Sequence, residues 1–92
     1  MANSIMQTEK ECYITQSTDN LHKHHIYAGS RRQISEDNGF TVYLRADWHN
    51  MASYGVHNDK NLDLHLKRLC QAKYEETHSR DEFIHLIGKS YL

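Results

Sequence analysis

The chain has no proline and only four glycines among 92 residues, so nothing in it marks a proline-rich linker or a second domain. Its two cysteines, Cys12 and Cys70, stand alone and far apart. That excludes a disulfide-rich scaffold and an intact four-cysteine zinc site. No apolar run approaches the roughly 18 residues of a membrane span, and the opening MANSIMQTEK lacks the apolar stretch of a secretory leader. These absences predict a cytoplasmic chain that does not enter a membrane. Neither sign of charge prevails: 11 Lys and Arg against 12 Asp and Glu leave −1 with neutral histidines, so bulk charge does not announce a nucleic-acid binder. A chain this short buries about 60–65% of its unfolded surface and has a thin core, which a metal or a partner often supplements. What is plentiful is histidine, with eight copies against one Trp and two Phe.

Residues 1–10 show no periodicity and are expected to be a flexible N-terminus, leaving residues 11–92 as one domain. The cluster Ser17-Thr18-Asp19-Asn20 reads as a turn. Leu21 to Tyr27 alternates loosely and reads as a short strand. Gly29 to Gly39 has Ile34 as its one aliphatic residue and reads as an exposed loop with room for one helical turn. Phe40-Thr41-Val42-Tyr43-Leu44 is aromatic and β-branched, the best strand in the chain. Arg45 to Tyr54 can form a short helix stopped by Gly55. A longer helix is expected from Asn58 or Asp59 to Glu76, with Leu62, Leu66 and Leu69 at helical spacing. Ser79-Arg80-Asp81-Glu82 fits a capping box that opens a last helix, which Gly88 ends. The order predicts an α+β fold in which two antiparallel strands precede the helices.

Five histidines fall in the strand-rich half: His22, His24, His25, His49 and His57. Neutral imidazole is a common ligand for divalent transition metals, and a site needs three or four such ligands close together. His24 and His25 lie at the end of the first strand, whereas His49 and His57 lie in or just after the short helix. An unbroken helix would hold His49 and His57 about 12 Å apart, too far for one ion. A turn at Gly55 is needed to fold His57 back.

Leu21-His22-Lys23-His24-His25-Ile26, followed after a loop by Val42-Tyr43-Leu44-Arg45-Ala46-Asp47-Trp48-His49-Asn50, resembles the HNH (His-Me finger) nucleases, in particular the small ones encoded by phages and prophages. Tyr54-Gly55-Val56-His57, the leucine-rich helix and the ending Gly88-Lys89-Ser90-Tyr91-Leu92 also fit, so the likeness covers most of residues 12–92. The resemblance implies a ββα-metal motif followed by two C-terminal helices, and hydrolysis of DNA phosphodiesters in a bacterial host cytoplasm. It implies one divalent cation held by His24, His49 and His57, with His25 as the general base that takes a proton from water. Three imidazoles favour Zn, Ni or Mn over Mg, and Asp47 would soften that preference if it reached the ion.

The chain departs from the family pattern in two places. Of the four cysteines that form paired zinc knuckles in many HNH proteins, only Cys12 remains, so no structural zinc is expected; Tyr13 and Trp48 are candidates to fill that volume. The family's middle Asn, which orients the base, has Phe40 in its place, and the candidates for its role are Asn38 and Asn50. Lys23, Arg31 and Arg32 form the densest basic cluster and are candidates to bind the DNA backbone; a solvated loop balanced by Glu36 and Asp37 is the alternative. The helix leucines suit a core or a homodimer interface. A catalytically degenerate HNH fold that binds DNA or a host or phage protein is the rival function, and a purely structural metal site is a third. His65, His78 and His85 read as solvent or boundary residues.

Overall fold

Strands β1 (Leu21–His25) and β2 (Thr41–Arg45) pair antiparallel in the computed structural model, which describes residues 3–92. The register sets His22 opposite Leu44, Lys23 opposite Tyr43, His24 opposite Val42 and His25 opposite Thr41. Side chains alternate across a strand, so His22 and His24 share the face of the buried Val42 and Leu44. Lys23 and His25 fall on the other face. With three helices added, α1 (Arg32–Asn38), α2 (Lys60–Tyr74) and α3 (Arg80–Ile87), the protein is an α+β fold around a two-stranded antiparallel sheet. Among the described residues no helix is long and apolar enough to cross a membrane.

The inter-strand segment differs from the exposed loop expected of it. Gly29–Arg31 makes a 3₁₀ turn and continues directly into α1. The reason is Ser35, which is fully buried. Its hydroxyl accepts from the Tyr27 amide at 3.1 Å and donates to the Tyr27 carbonyl at 2.7 Å, locking the helix onto the end of β1. A buried serine leaves no trace in apolar periodicity. Gly39 closes α1 in the left-handed region at φ 73°, and a Cβ there would lie 2.1 Å from the Asn3 carbonyl oxygen. Both facts demand glycine.

Of the N-terminal ten residues, Met1 and Ala2 lie outside the described residues. Residues 4–7 are fastened along β2 on the side away from β1. The Ile5 amide donates to Gly39 O at 2.9 Å, the Ser4 hydroxyl donates to Thr41 O, and the Tyr43 amide donates to Gln7 Oε1 at 2.6 Å. Ile5 and Met6 pack against the core.

The two long helices follow their sequence signals. Asp59 caps α2 by accepting from the Asn61 and Leu62 amides, and Ser79 with Glu82 forms the reciprocal box at the start of α3. Gly88 stops α3 at φ 103°. The core they cover is aromatic at its centre. Tyr27 meets Phe40 and Phe83 edge-on with ring centroids 5.5 Å apart, and Phe40 meets Tyr74 at 5.4 Å. Cys12, Ile26, Val42, Leu44, Val56, Leu66, Cys70 and Ile87 surround these rings. Both cysteines are free and buried. Tyr13 and Trp48 lie partly buried against the same core.

Candidate metal centre

The segment after β2 carries two of the key histidines and is irregular. A continuous helix to Tyr54 does not form. Asp47–Met51 instead winds as a π-helical turn, and the chain then reverses. π-Turns are rare and concentrate at functional sites. The reversal is pinned by backbone: Gly55 N donates to Ala52 O at 2.9 Å, Val56 N to Trp48 O at 2.8 Å and His57 N to His49 O at 3.1 Å. Gly55 is required by packing, since a Cβ would sit 2.8 Å from the Asp47 carbonyl oxygen. The fold-back at Gly55 therefore occurs, and it sets His57 beside His49.

Three histidines converge as a result. One ring nitrogen from each of His24, His49 and His57 lies within 4.8 Å of the others. A tetrahedral ion at ~2.0–2.1 Å from its nitrogens holds them about 3.4 Å apart, so the spacing suits one cation. His49 and His57 present their Nε2 atoms to each other at 3.0 Å. His24 Nε2 is buried and has no hydrogen-bond partner among the described residues. A buried nitrogen left unpaired costs about 1–3 kcal/mol, and a metal–nitrogen bond would remove that cost. Burial, then the nearby His49 and His57, pushes the His24 pKa down to about 3. Burial, then His57 and His22, pushes that of His49 down to about 4. Both rings are therefore neutral near pH 7, the form that ligates. Three side-chain ligands would be one short of a tetrahedral set.

His22, on the same strand face as His24, is a neighbour of the cluster. Its Nδ1 lies 3.0 Å from His49 Nδ1. If both His49 and His57 turn Nε2 lone pairs toward an ion, His49 must carry its proton on Nδ1 and donate it to His22. This is the outer hydrogen bond that fixes the tautomer of a ligating histidine.

His25 stands on the opposite face of β1 from this cluster, 12% exposed. Its Nε2 lies 2.8 Å from Glu36 Oε1, while Lys23 Nζ holds the other carboxylate oxygen at 2.8 Å. Neither asparagine proposed to orient it does so. Asn38 donates to Ile34 O at 2.9 Å at the end of α1, and Asn50 lies exposed in the π-turn. Glu36 is the residue that sequence reasoning missed, because charge balance in a loop was the whole of its signal.

The basic candidates separate in the same way. Arg31 Nε donates to Ile87 O at 2.7 Å, tying the 3₁₀ turn to the end of α3. Lys23 is paired with Glu36, and Arg32 is exposed in the cleft that His25 and Glu36 line. Asp47 does not reach the cluster. It takes both Arg45 nitrogens at 2.7 and 2.8 Å and the Tyr54 hydroxyl at 2.6 Å, and the Arg45 and Tyr54 hydrogen bonds hold it below the usual carboxylate range. His65 and His85 are exposed, and His78 stacks on Tyr74 with ring centroids 4.1 Å apart.

No family model, no curated protein and no solved structure matches this chain.

Proposed function

We propose that the protein is a metal-dependent endonuclease of the HNH (His-Me finger) kind, hydrolysing DNA phosphodiester bonds from a ββα-metal motif. The observation that carries the reading is the convergence of His24, His49 and His57, with a buried His24 nitrogen that meets no hydrogen-bond partner among the described residues, on the strand and turn that resemble that family. In this reading the three imidazoles hold one divalent cation, with Zn, Ni or Mn favoured over Mg by an all-nitrogen set. Such an ion supplies neutralisation of the charge that develops on phosphate oxygens.

The rest falls to the chain's own residues. His25, directly after His24 at the end of β1, is the base of this reading. As general base it accepts a proton from the attacking water. Arg32, exposed in the cleft shared with His25, is the residue this reading assigns to a backbone phosphate. A cytoplasmic setting suits the two unpaired, buried cysteines.

Supercoiled plasmid incubated with purified protein and EDTA, Mg²⁺, Mn²⁺, Ni²⁺ or Zn²⁺ tests the proposal. Nicking that needs a metal, and that falls about 10²–10⁴-fold in His25→Ala, is the expected result. A folded wild-type protein that nicks with none of the metals overturns it. The competing reading, a binding module on the same fold, draws on one specific observation. Lys23 and Arg31 are both engaged within the molecule, which leaves a small basic surface for nonspecific DNA affinity.

A further inference from the structure

We propose that Glu36 is the positioning residue for His25: its carboxylate accepts the Nε2 proton and holds the imidazole in the tautomer whose Nδ1 is bare. The inference rests on the reading of His25 as the base. It departs from what the HNH resemblance implies, in which an asparagine plays this part.

The geometry is specific. His25 Nε2 and Glu36 Oε1 are 2.8 Å apart, and Lys23 Nζ holds Oε2 at 2.8 Å. Each carboxylate oxygen therefore has its own donor, and the group is not free to rotate. Glu36 is itself held in place, because its neighbour Ser35 is fully buried and bonded to both the amide and the carbonyl of Tyr27. Tyr27 lies two residues beyond His25, so the arm that presents the carboxylate is braced against the strand that presents the imidazole.

The direction of the proton follows from chemistry. An ionised carboxylate only accepts hydrogen bonds. The hydrogen bonds from Lys23 and then His25 push the Glu36 pKa down to about 2, so it is ionised at neutral pH. The hydrogen between the two groups therefore sits on His25 Nε2. A neutral imidazole has one N–H, which leaves the Nδ1 lone pair as the proton-accepting site. Glu36 would also stabilise the imidazolium formed when His25 takes a proton, as the buried aspartate of a serine-protease triad does for its histidine.

Two measurements on the full chain test this. Long-range ¹H–¹⁵N correlation of metal-loaded wild-type protein at pH 8 should show His25 as the Nε2–H tautomer, and Glu36→Ala should lose that preference. In the nicking assay, Glu36→Ala should lower kcat about 10- to 100-fold, the loss typical of an outer hydrogen-bond partner. KM and metal affinity should hold, because His24, His49 and His57 are untouched. A wild-type His25 with its proton on Nδ1, or a folded Glu36→Ala variant with wild-type kcat, overturns the inference. If the wild type cleaves nothing, the nuclease reading falls, and the tautomer measurement still decides whether Glu36 sets the state of His25.

Discussion

Gln71 in α2 and His24 in β1 are both buried polar residues, and they are treated in opposite ways. Gln71 is 0% exposed and fully matched. Its Nε2 donates to Glu75 at 2.7 Å and to Ser90 Oγ at 2.9 Å, and its Oε1 accepts from the Tyr91 amide at 2.7 Å. His24 is 3% exposed, and its Nε2 meets no partner among the described residues. The helical half closes its polar accounts internally, through Gln71, the Ser79 box and the Arg31 tie to Ile87. The strand-and-turn half leaves imidazole nitrogens facing one another. A buried polar group that is satisfied serves the fold, whereas one that is not points outside the chain for its partner.

The contrast can be broken from either side. The largest effect is expected in the helical half, where Phe83→Ala removes a fully buried ring from the aromatic cluster. It should cost about 3–5 kcal/mol, read as a lower midpoint in urea unfolding. Next comes the metal. Adding a binding cation at 100 times its Kd should stabilise the wild type by about 2.7 kcal/mol, reversed by EDTA. In His24→Leu the same addition should have almost no effect, while stability without metal should hold or rise, because an unpaired buried nitrogen has been removed. Equal metal stabilisation of both proteins would show that His24 is not a ligand. The smallest change is Ser79→Ala, which deletes one half of the capping box and should cost about 1 kcal/mol, leaving metal stabilisation unaltered.

Legibility from sequence followed the same division. The α2 and α3 boundaries were readable because their signals are local: Asp59, the Ser79–Glu82 pair and Gly88 act within a few residues of where they stand. β2 was readable from β-branched and aromatic content, β1 from its loose alternation, and the antiparallel pairing from the order of the elements. His24, His25, His49 and His57 stood out as candidate ligands by residue type, but the choice of His24, His49 and His57 as the set came from the family resemblance, since their meeting depends on a reversal at Gly55 that no periodicity encodes. Three features stayed hidden for one reason. The helix between the strands depends on Ser35, the fastening of residues 4–7 on the Ile5 amide reaching Gly39 O, and the His25 partner on where α1 places Glu36. Each is a polar contact between residues distant in sequence, and hydropathy patterns carry no record of such contacts.

The Arg31 tie bears on the order in which the protein can be made. The 3₁₀ turn that leads into α1, and so into Glu36, is anchored to the carbonyl of Ile87. A ribosome releases the N-terminal part of a chain first, so β1, α1 and β2 emerge well before their far anchor exists. His24, His49 and His57 are all out once residue 57 has emerged, whereas the brace behind the arm that holds His25 waits for the end of α3. The two faces of β1 are thus completed at different points of synthesis.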